Sequence, residues 1–298
     1  MDRRLKSNER EALHDADVRR DNVFVVGCQR AGTSVVWAGL TAHPDLAPLR
    51  GYDPETGYDP KELYYFRNLF AGRESFGSPM YGWDIDERYL ARIVDATIRH
   101  CVEEHGSRTG RFVNGHPGDG LHLAELVKAM PEARFVYVLR HAEEVVWSAV
   151  HAPWADARKT RDPETLRRAA RHWSRHAAIA RRVVDGEFGE SVLLVRHEQL
   201  VESPDAWAKR LAQHVGIELV PEMGAQLGGP TFNSSFKNEA SPADLAVETR
   251  RAISRASFFR RIVYRECGAD MEALGYTDLG NPPLVPQRGW CSMLGVGG

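Results

Sequence analysis

The segment from Asn22 to Pro44 constrains the fold more than any other part of the chain. A β-branched and aromatic run from Val23 to Val26 precedes a glycine-containing turn, and helix-compatible apolar spacing follows from Ser34 to Leu40. A buried strand, a turn and a helix in this order are the unit from which parallel sheets covered by helices are built. The pattern therefore predicts an α/β fold with a central parallel sheet flanked by helices.

The turn in this segment has the spacing of a phosphate-binding loop. Gly27, Gly32 and Ser34 match the pattern G-x-x-x-x-G-K-[ST], but Thr33 stands where the lysine should be. Backbone N–H groups at a helix N-terminus can hold a phosphate without that lysine, and Arg30 can supply positive charge from inside the loop. We therefore expect a nucleotide with a 5′-phosphate and no dependence on a magnesium-bound γ-phosphate. The glycines alone would also fit an ordinary tight turn.

A second segment strengthens the interpretation as a phosphate site. The run from Arg134 to Arg140 has a buried-strand pattern and ends in an arginine, at the edge where open parallel sheets bind ligands. A helix is predicted from His141 to Ala149, which places Ser148 about two turns beyond the strand end. The guanidinium and the serine hydroxyl could together bind a second phosphate.

The two segments together resemble the family of sulfotransferases that use 3′-phosphoadenosine 5′-phosphosulfate (PAPS) and have a P-loop-like fold. The resemblance extends from Asn22 to Tyr276, and the block from Ser191 to Ile217 is similar to bacterial members. It implies that PAPS is the donor, that its desulfated product PAP is released, and that no metal is required. It assigns the 5′-phosphosulfate to Gln29, Arg30, Ala31, Gly32, Thr33 and Ser34, and the 3′-phosphate to Arg140 and Ser148.

The resemblance also suggests two residues for the base that takes the acceptor's hydroxyl proton. Glu62 lies where several carbohydrate sulfotransferases have a catalytic glutamate before an aromatic pair. His116 follows a predicted strand and matches the third place of the Lys-Thr-His sequence in cytosolic sulfotransferases. A surface carboxylate and a hydrogen-bonded turn histidine are the ordinary interpretations of these residues, and both assignments stay open.

The chain departs from the family where the strand before His116 ends. The carbohydrate and the cytosolic sulfotransferases both have a lysine at this strand end, whereas this chain has Asn114 and Gly115. Arg30, with Lys61 or His116, would have to provide the positive charge that stabilises the leaving bisphosphate. Lys237, in the polar segment 233–238, is a further candidate phosphate contact, although the same segment also fits a plain surface turn.

Three polar features have simpler interpretations than a site. The spacing of Asp119 and His122 suggests a helix cap and a helix face before it suggests a metal site. The four cysteines have neither disulfide-like nor metal-like spacing, so we expect a reducing compartment. A long amphipathic helix is predicted from about Pro163 to Arg182, with arginines on its solvated face.

Length and charge limit the remaining possibilities. We expect one α/β domain at 22–280, a flexible segment at 1–21, a tail at 281–298 and an irregular acceptor-binding insertion at 44–84. The net charge of −2 gives no global attraction to nucleic acid or to an anionic membrane. No apolar run approaches the ~20 residues that cross a bilayer, and the start lacks the apolar core of a secretory signal. These features predict a cytoplasmic enzyme with a small-molecule or carbohydrate acceptor.

Two alternatives to a sulfotransferase stay compatible with the first loop. A P-loop kinase or nucleotide phosphotransferase would need a lysine in place of Thr33 and an acidic magnesium ligand at a later strand end, where this chain has Arg140. A catalytically lapsed nucleotide-binding protein of the same fold would explain the missing strand-end lysine. The oligomeric state is open.

Overall fold

Five parallel strands form the central sheet. The computed structural model describes residues 21–48, 109–152, 161–229 and 257–276, with the single positions 96, 155, 159 and 251. Within these residues the strand order is β2-β3-β1-β4-β5. The strands are β1 (Val23–Gly27), β2 (Leu46–Pro48), β3 (Arg111–Asn114), β4 (Arg134–Leu139) and β5 (Val192–Arg196).

Helices connect and cover these strands. In chain order, the α-helices of the described ranges are α1 (Thr33–Thr41), α2 (Leu123–Ala129), α3 (Ala142–Val150), α4 (Pro163–Val184), α5 (His197–Glu202), α6 (Pro204–Val215), α7 (Pro221–Gly228) and α8 (Ser257–Ala273). Two short 3₁₀ helices occupy Pro117–His122 and Gly189–Ser191. None of the helices in this part of the chain is long and apolar enough to cross a membrane.

The middle of the sheet is built on β1, which pairs with β3 on one side and β4 on the other. Its five residues are all buried, as expected for a strand covered on both faces. The Phe24 ring stacks on Phe135 of β4 at 5.2 Å and meets the edge of Phe112 of β3 at 5.7 Å. The chain leaves β1 toward one edge of the sheet and returns on the other side, so the ligand crevice is expected at the carboxyl end of β1.

The long helix α4 begins and packs as the sequence predicts. Its N-cap Asp162 accepts a hydrogen bond from the Thr165 N–H at 2.8 Å, and a proline occupies the first helical position. Leu166, Ala170 and Trp173 line its buried face. The arginines lie on the opposite, exposed face.

The structure confirms the predicted fold class and shifts some element boundaries. The strands expected at Arg111–Asn114 and from Arg134 are present. The segment predicted as irregular from Pro44 begins instead with the edge strand Leu46–Pro48, whose three residues are too few to show a β pattern. The helix predicted near 121–129 is preceded by a 3₁₀ helix that carries two glycines. The helix predicted for 87–104 lies outside the described residues, apart from position 96.

A pH effect on stability is expected from His214, in the last turn of α6. Its Nε2–H donates to the Phe135 carbonyl at 3.1 Å, and burial lowers its pKa from 6.5 to about 4. The unfolded chain therefore binds more protons than the folded chain between these two pH values. The free energy of unfolding should fall by on the order of 1–3 kcal/mol as the pH decreases through this window.

Urea unfolding at about pH 7 and about pH 4.5 measures this effect. His214→Gln should show a smaller fall than the parent chain, because glutamine can still donate a hydrogen bond and does not titrate there. An identical fall in the two proteins would contradict the assignment to His214.

Candidate active site

The loop after β1 is curled by three residues with positive φ. These are Gly27 (φ 140), Arg30 (φ 71) and Gly32 (φ 102). A Cβ on Gly27 would lie 2.3 Å from the Val138 carbonyl oxygen, so only glycine fits beside β4. The Ala31 N–H donates to the Cys28 carbonyl at 3.0 Å and closes the turn. The loop then leads into the N-terminus of α1, where the first backbone N–H groups of a helix have no intrahelical acceptor.

Gly32 lies against a residue that the sequence did not implicate. A Cβ at this position would lie 2.2 Å from Cδ2 of His197, which follows β5. Gly32→Ala should therefore displace the histidine or the loop, in addition to straining a backbone with φ 102. We expect adenosine 3′,5′-bisphosphate to bind at least about tenfold more weakly, which corresponds to about 1.4 kcal/mol.

Gly216→Ala is the matched control for Gly32→Ala. Gly216 ends α6 with φ 71, and a Cβ there would have no neighbour within 4 Å. Its substitution should lower stability by about 1 kcal/mol without changing the dissociation constant of the bisphosphate. Equal dissociation constants for both variants in isothermal titration calorimetry would show that the packing on His197 is not needed for binding.

The two predicted phosphate segments meet at the carboxyl ends of β1 and β4. Arg30 Nε donates to Ser148 Oγ of α3 at 3.0 Å. Arg140 Nη1 donates to the Arg30 carbonyl oxygen at 3.5 Å. Arg30, predicted for the 5′ end of the donor, thus lies beside both residues predicted for the 3′-phosphate. The structure brings the three together as one cationic cluster.

Arg140 is held in place by buried partners. Its Nε donates to Glu144 Oε2 at 2.7 Å, one turn along α3. The indole N–H of Trp173 donates to the Arg140 carbonyl at 2.9 Å, so α4 also fixes the strand end. A guanidinium oriented by a carboxylate loses less conformational entropy when it binds a second anion.

A buried polar network supports this arrangement from the side of β5. Glu198 Oε1 accepts a hydrogen bond from the backbone N–H of His141 at 2.7 Å, and Tyr276 Oη donates to Glu198 Oε2 at 3.4 Å. Burial and then the neighbouring charge of Glu144 raise the pKa of Glu198. Glu198 and its neighbour His197 were not predicted as site residues from the sequence. Their position directly after a buried strand, at the same sheet edge, was the available signal.

His116 lies at the carboxyl end of β3 and has an oriented ring. Its Nδ1 is 3.1 Å from Asp119 Oδ1, and Asn114 Nδ2 donates to Asp119 Oδ2 at 2.8 Å. All three side chains are buried. A carboxylate only accepts hydrogen bonds, so Nδ1–H is the donor in this contact, and a neutral ring would have its lone pair on Nε2. Asp119, interpreted from its spacing as a helix cap, is instead the partner that orients the His116 ring.

The remaining candidate residues are distributed as follows. Gln29 Oε1 lies 2.5 Å from His172 Nε2 of α4, so this loop residue contacts the long helix. Thr33 and Ser34 form the first turn of α1. Glu62, Lys61 and Lys237 lie outside the described residues. The structure therefore describes the surroundings of His116, one of the two candidate bases, and not those of Glu62.

The Sulfotransferase family model matches residues 22–222, which is more than half of the chain. The chain belongs to the sulfotransferase family. It is 26% identical over 198 residues to "Protein-tyrosine sulfotransferase 1" of Danio rerio, covering 65% of this chain and 53% of that protein. It is 21% identical over 199 residues to "Protein-tyrosine sulfotransferase" of Drosophila melanogaster, covering 65% of this chain and 38% of the relative. The chain thus spans about half the length, or less, of these relatives.

Solved sulfotransferase structures are also similar to this chain. Sulfotransferase STF9 from Mycobacterium avium has a TM-score of 0.45 at 15% identity, with 83% of this chain and 79% of that chain covered. Mouse sulfotransferase SULT7A1, complexed with PAP, has a TM-score of 0.42 at 12% identity, with 92% of each chain covered.

Proposed function

We propose that this protein transfers a sulfuryl group from PAPS to a hydroxyl of a small-molecule or carbohydrate acceptor. The observation that carries the proposal is the cluster of Arg30, Arg140 and Ser148 at the ends of β1 and β4. A donor with phosphates at both its 5′ and 3′ positions fits a site in which a curled loop and a strand-end arginine adjoin. Membership of the sulfotransferase family supports the same chemistry.

The donor's two ends are assigned to different parts of the cluster. The backbone of residues 29–34 and the N-terminus of α1 would hold the 5′-phosphosulfate. Arg140 would bind the 3′-phosphate with its guanidinium, while Ser148 contributes its hydroxyl. Arg30 lies between these groups and would stabilise negative charge at both. This assignment uses no lysine at position 33 and no magnesium ion.

The reaction requires one base and one stabilised leaving group. The acceptor oxygen attacks sulfur, the bond from sulfur to the 5′-phosphate oxygen breaks, and the acceptor proton passes to the base. His116 Nε2 is the base that the geometry favours, because Asp119 orients the ring through Nδ1, which would put the lone pair of the neutral imidazole on Nε2. Arg30 and the N–H groups of the loop stabilise the charge that develops on the departing bisphosphate. Glu62 is the alternative base.

A phenolic hydroxyl is a second candidate acceptor. The relatives named protein-tyrosine sulfotransferase favour a phenolic acceptor, although the chain matches only part of their length. The acceptor is proposed to bind at the segment 44–84, within one domain at 22–280, and the enzyme is proposed to act in the cytoplasm.

Sulfate transfer from isotopically labelled PAPS tests the function directly. The protein is incubated with pools of sugars, small phenols and tyrosine-containing peptides, without magnesium, and labelled product and PAP are both quantified. Labelled product in a sugar or small-molecule pool supports the first acceptor class, and product only with peptides supports the second. Neither product nor PAP from any pool would indicate the lapsed nucleotide-binding protein. If the protein modified an acceptor only when ATP and magnesium replaced PAPS, it would be a phosphotransferase.

A further inference from the structure

A thiol and two imidazoles converge behind the loop, on the side of α4. Cys28 directly follows β1, while His172 and His176 lie one turn apart on α4. Side chains with this helical spacing face the same way. Cys28 Sγ and one nitrogen of each ring lie within 4.8 Å of one another. The cysteine and the histidines are far apart in the sequence, which is why cysteine spacing gave no sign of the cluster.

The hydrogen bonds of His176 define which of its nitrogens carries a proton. Tyr137 Oη donates its one proton to the His176 carbonyl oxygen at 2.8 Å. The Tyr137 Oη also lies 3.2 Å from His176 Nδ1. Because its proton is already donated to the carbonyl, Nδ1–H must be the donor in this contact. Nε2 therefore carries the lone pair. A hydrogen-bonded Nδ1–H that leaves Nε2 available is the arrangement typical of a metal-binding histidine.

This lone pair is buried among the residues that the structure describes and has no hydrogen-bond donor there. His176 is 1% exposed, and its Nε2 lies within 3.5 Å of no suitable partner in that part of the chain. A buried nitrogen without a partner is costly, so it points to a bound group. The other members of the cluster are the half-buried imidazole of His172 and the buried thiol of Cys28.

We propose that Cys28, His172 and His176 bind one Zn²⁺ ion. One thiolate and two imidazoles are donors that zinc prefers, and three protein ligands leave a fourth position for water. Zinc bonds of about 2.0–2.3 Å place tetrahedral ligand atoms roughly 3.3–3.7 Å apart. The observed limit of 4.8 Å thus requires the side chains to approach one another by no more than about 1.5 Å.

Binding has a defined proton balance and a defined location. The Cys28 thiol loses its proton to solvent when the sulfur–zinc bond forms, and both imidazoles bind in their neutral form. Cys28 lies in the loop after β1 and both histidines lie on α4, so the ion would link the loop to α4. His172 Nε2 also contacts Gln29 of the same loop. The inference does not depend on PAPS being the donor, because the ligands come from side chains outside the cationic cluster.

Cobalt titration of the full chain tests the site. The parent carries Cys101→Ser and Cys291→Ser, so that Cys28 and Cys267 are its remaining thiols. We expect one Co²⁺ per chain, an ultraviolet thiolate-to-cobalt charge-transfer band, tetrahedral visible bands, and displacement of cobalt by one equivalent of Zn²⁺. Absence of a saturable one-to-one charge-transfer band would overturn the proposal.

Two cysteine variants identify the sulfur ligand. Cys28→Ser should abolish the charge-transfer band. Cys267→Ser should retain it, since this second buried thiol donates to the Ala170 carbonyl and lies outside the cluster. A band that survives Cys28→Ser would contradict the assignment.

A histidine variant covers the case in which Cys28→Ser does not fold. His172→Ala changes a half-buried side chain and should weaken cobalt binding at least about tenfold, the lower end of effects seen for metal-site substitutions. His214→Ala, outside the cluster, should leave cobalt affinity unchanged. Equal cobalt affinity in the two histidine variants would overturn the proposal independently of Cys28.

Discussion

His116→Ala is expected to lower kcat for sulfuryl transfer by about 10²–10⁴-fold, the range for loss of a positioned base. The reason is structural: Asp119 Oδ1 lies 3.1 Å from His116 Nδ1 and orients the ring. Stopped assays of labelled product at saturating PAPS measure the change, and thermal unfolding checks that the buried substitution has left the chain folded. The dissociation constant of the bisphosphate should change little, since the base is proposed to act on the acceptor.

Three further variants make the assignment of the base specific. Asp119→Asn should also lower kcat, because an amide that offers its N–H to Nδ1 would reverse the tautomer. His122→Ala, at the end of the 3₁₀ helix that follows His116, is the control and should retain nearly full activity. If Glu62→Gln lowers kcat at least ~100-fold while His116→Ala does not, Glu62 is the base and the assignment of His116 is wrong.

Arg140→Ala is expected to weaken binding of adenosine 3′,5′-bisphosphate by about 100-fold or more. Charge-assisted hydrogen bonds contribute about 1.5–3 kcal/mol each, and a guanidinium can make two to one phosphate. Ser148→Ala, which removes a neutral donor, should cost about tenfold. Isothermal titration calorimetry with the bisphosphate and with adenosine 5′-monophosphate measures both. The loss should be much smaller for the monophosphate, which lacks the 3′ group.

The design must separate binding from charge balance, because Arg140 is also the partner of buried Glu144. The double variant Arg140→Ala with Glu144→Gln also removes the negative charge that Arg140 balances, and it should still bind the bisphosphate weakly. Arg134→Ala, at the opposite end of β4, is the matched control and should keep the parent affinity. An Arg140 variant that binds the bisphosphate as tightly as the Arg134 variant would contradict the assignment of the 3′-phosphate.

The parts of the site that are local in sequence could be predicted. The loop between β1 and α1 carries its own glycine spacing, and the buried run of β4 is followed directly by Arg140, so both could be predicted from short-range patterns. Edge strand β2 could not be predicted, since three residues show no alternation. An element can be predicted when its own residues favour it, and not when it is stabilised mainly by residues elsewhere in the chain.

The contacts that organise the site are long-range, and the sequence shows only their separate members. Arg30 meets Ser148 across the gap between β1 and α3, and Gln29 meets His172 of α4. Such pairings depend on the order of strands in the sheet, which periodicity does not reveal. Asp119 was misinterpreted for a related reason. Its spacing to His122 fits a cap, whereas in the structure the 3₁₀ helix Pro117–His122 places the carboxylate 3.1 Å from His116 Nδ1.

Thermal unfolding with added ligands tests whether the chain has a donor site for two phosphates. The protein is unfolded alone, with adenosine 3′,5′-bisphosphate, with adenosine 5′-monophosphate, and with ATP plus magnesium, each at high concentration. A ligand at ~100 times its Kd adds about 2.7 kcal/mol to the native state, which raises Tm clearly. We expect a large rise in Tm with the bisphosphate without metal and a much smaller rise with each of the other two ligands. A rise with ATP and magnesium, and none with the bisphosphate, would rule out the two-phosphate donor site and indicate a phosphotransferase.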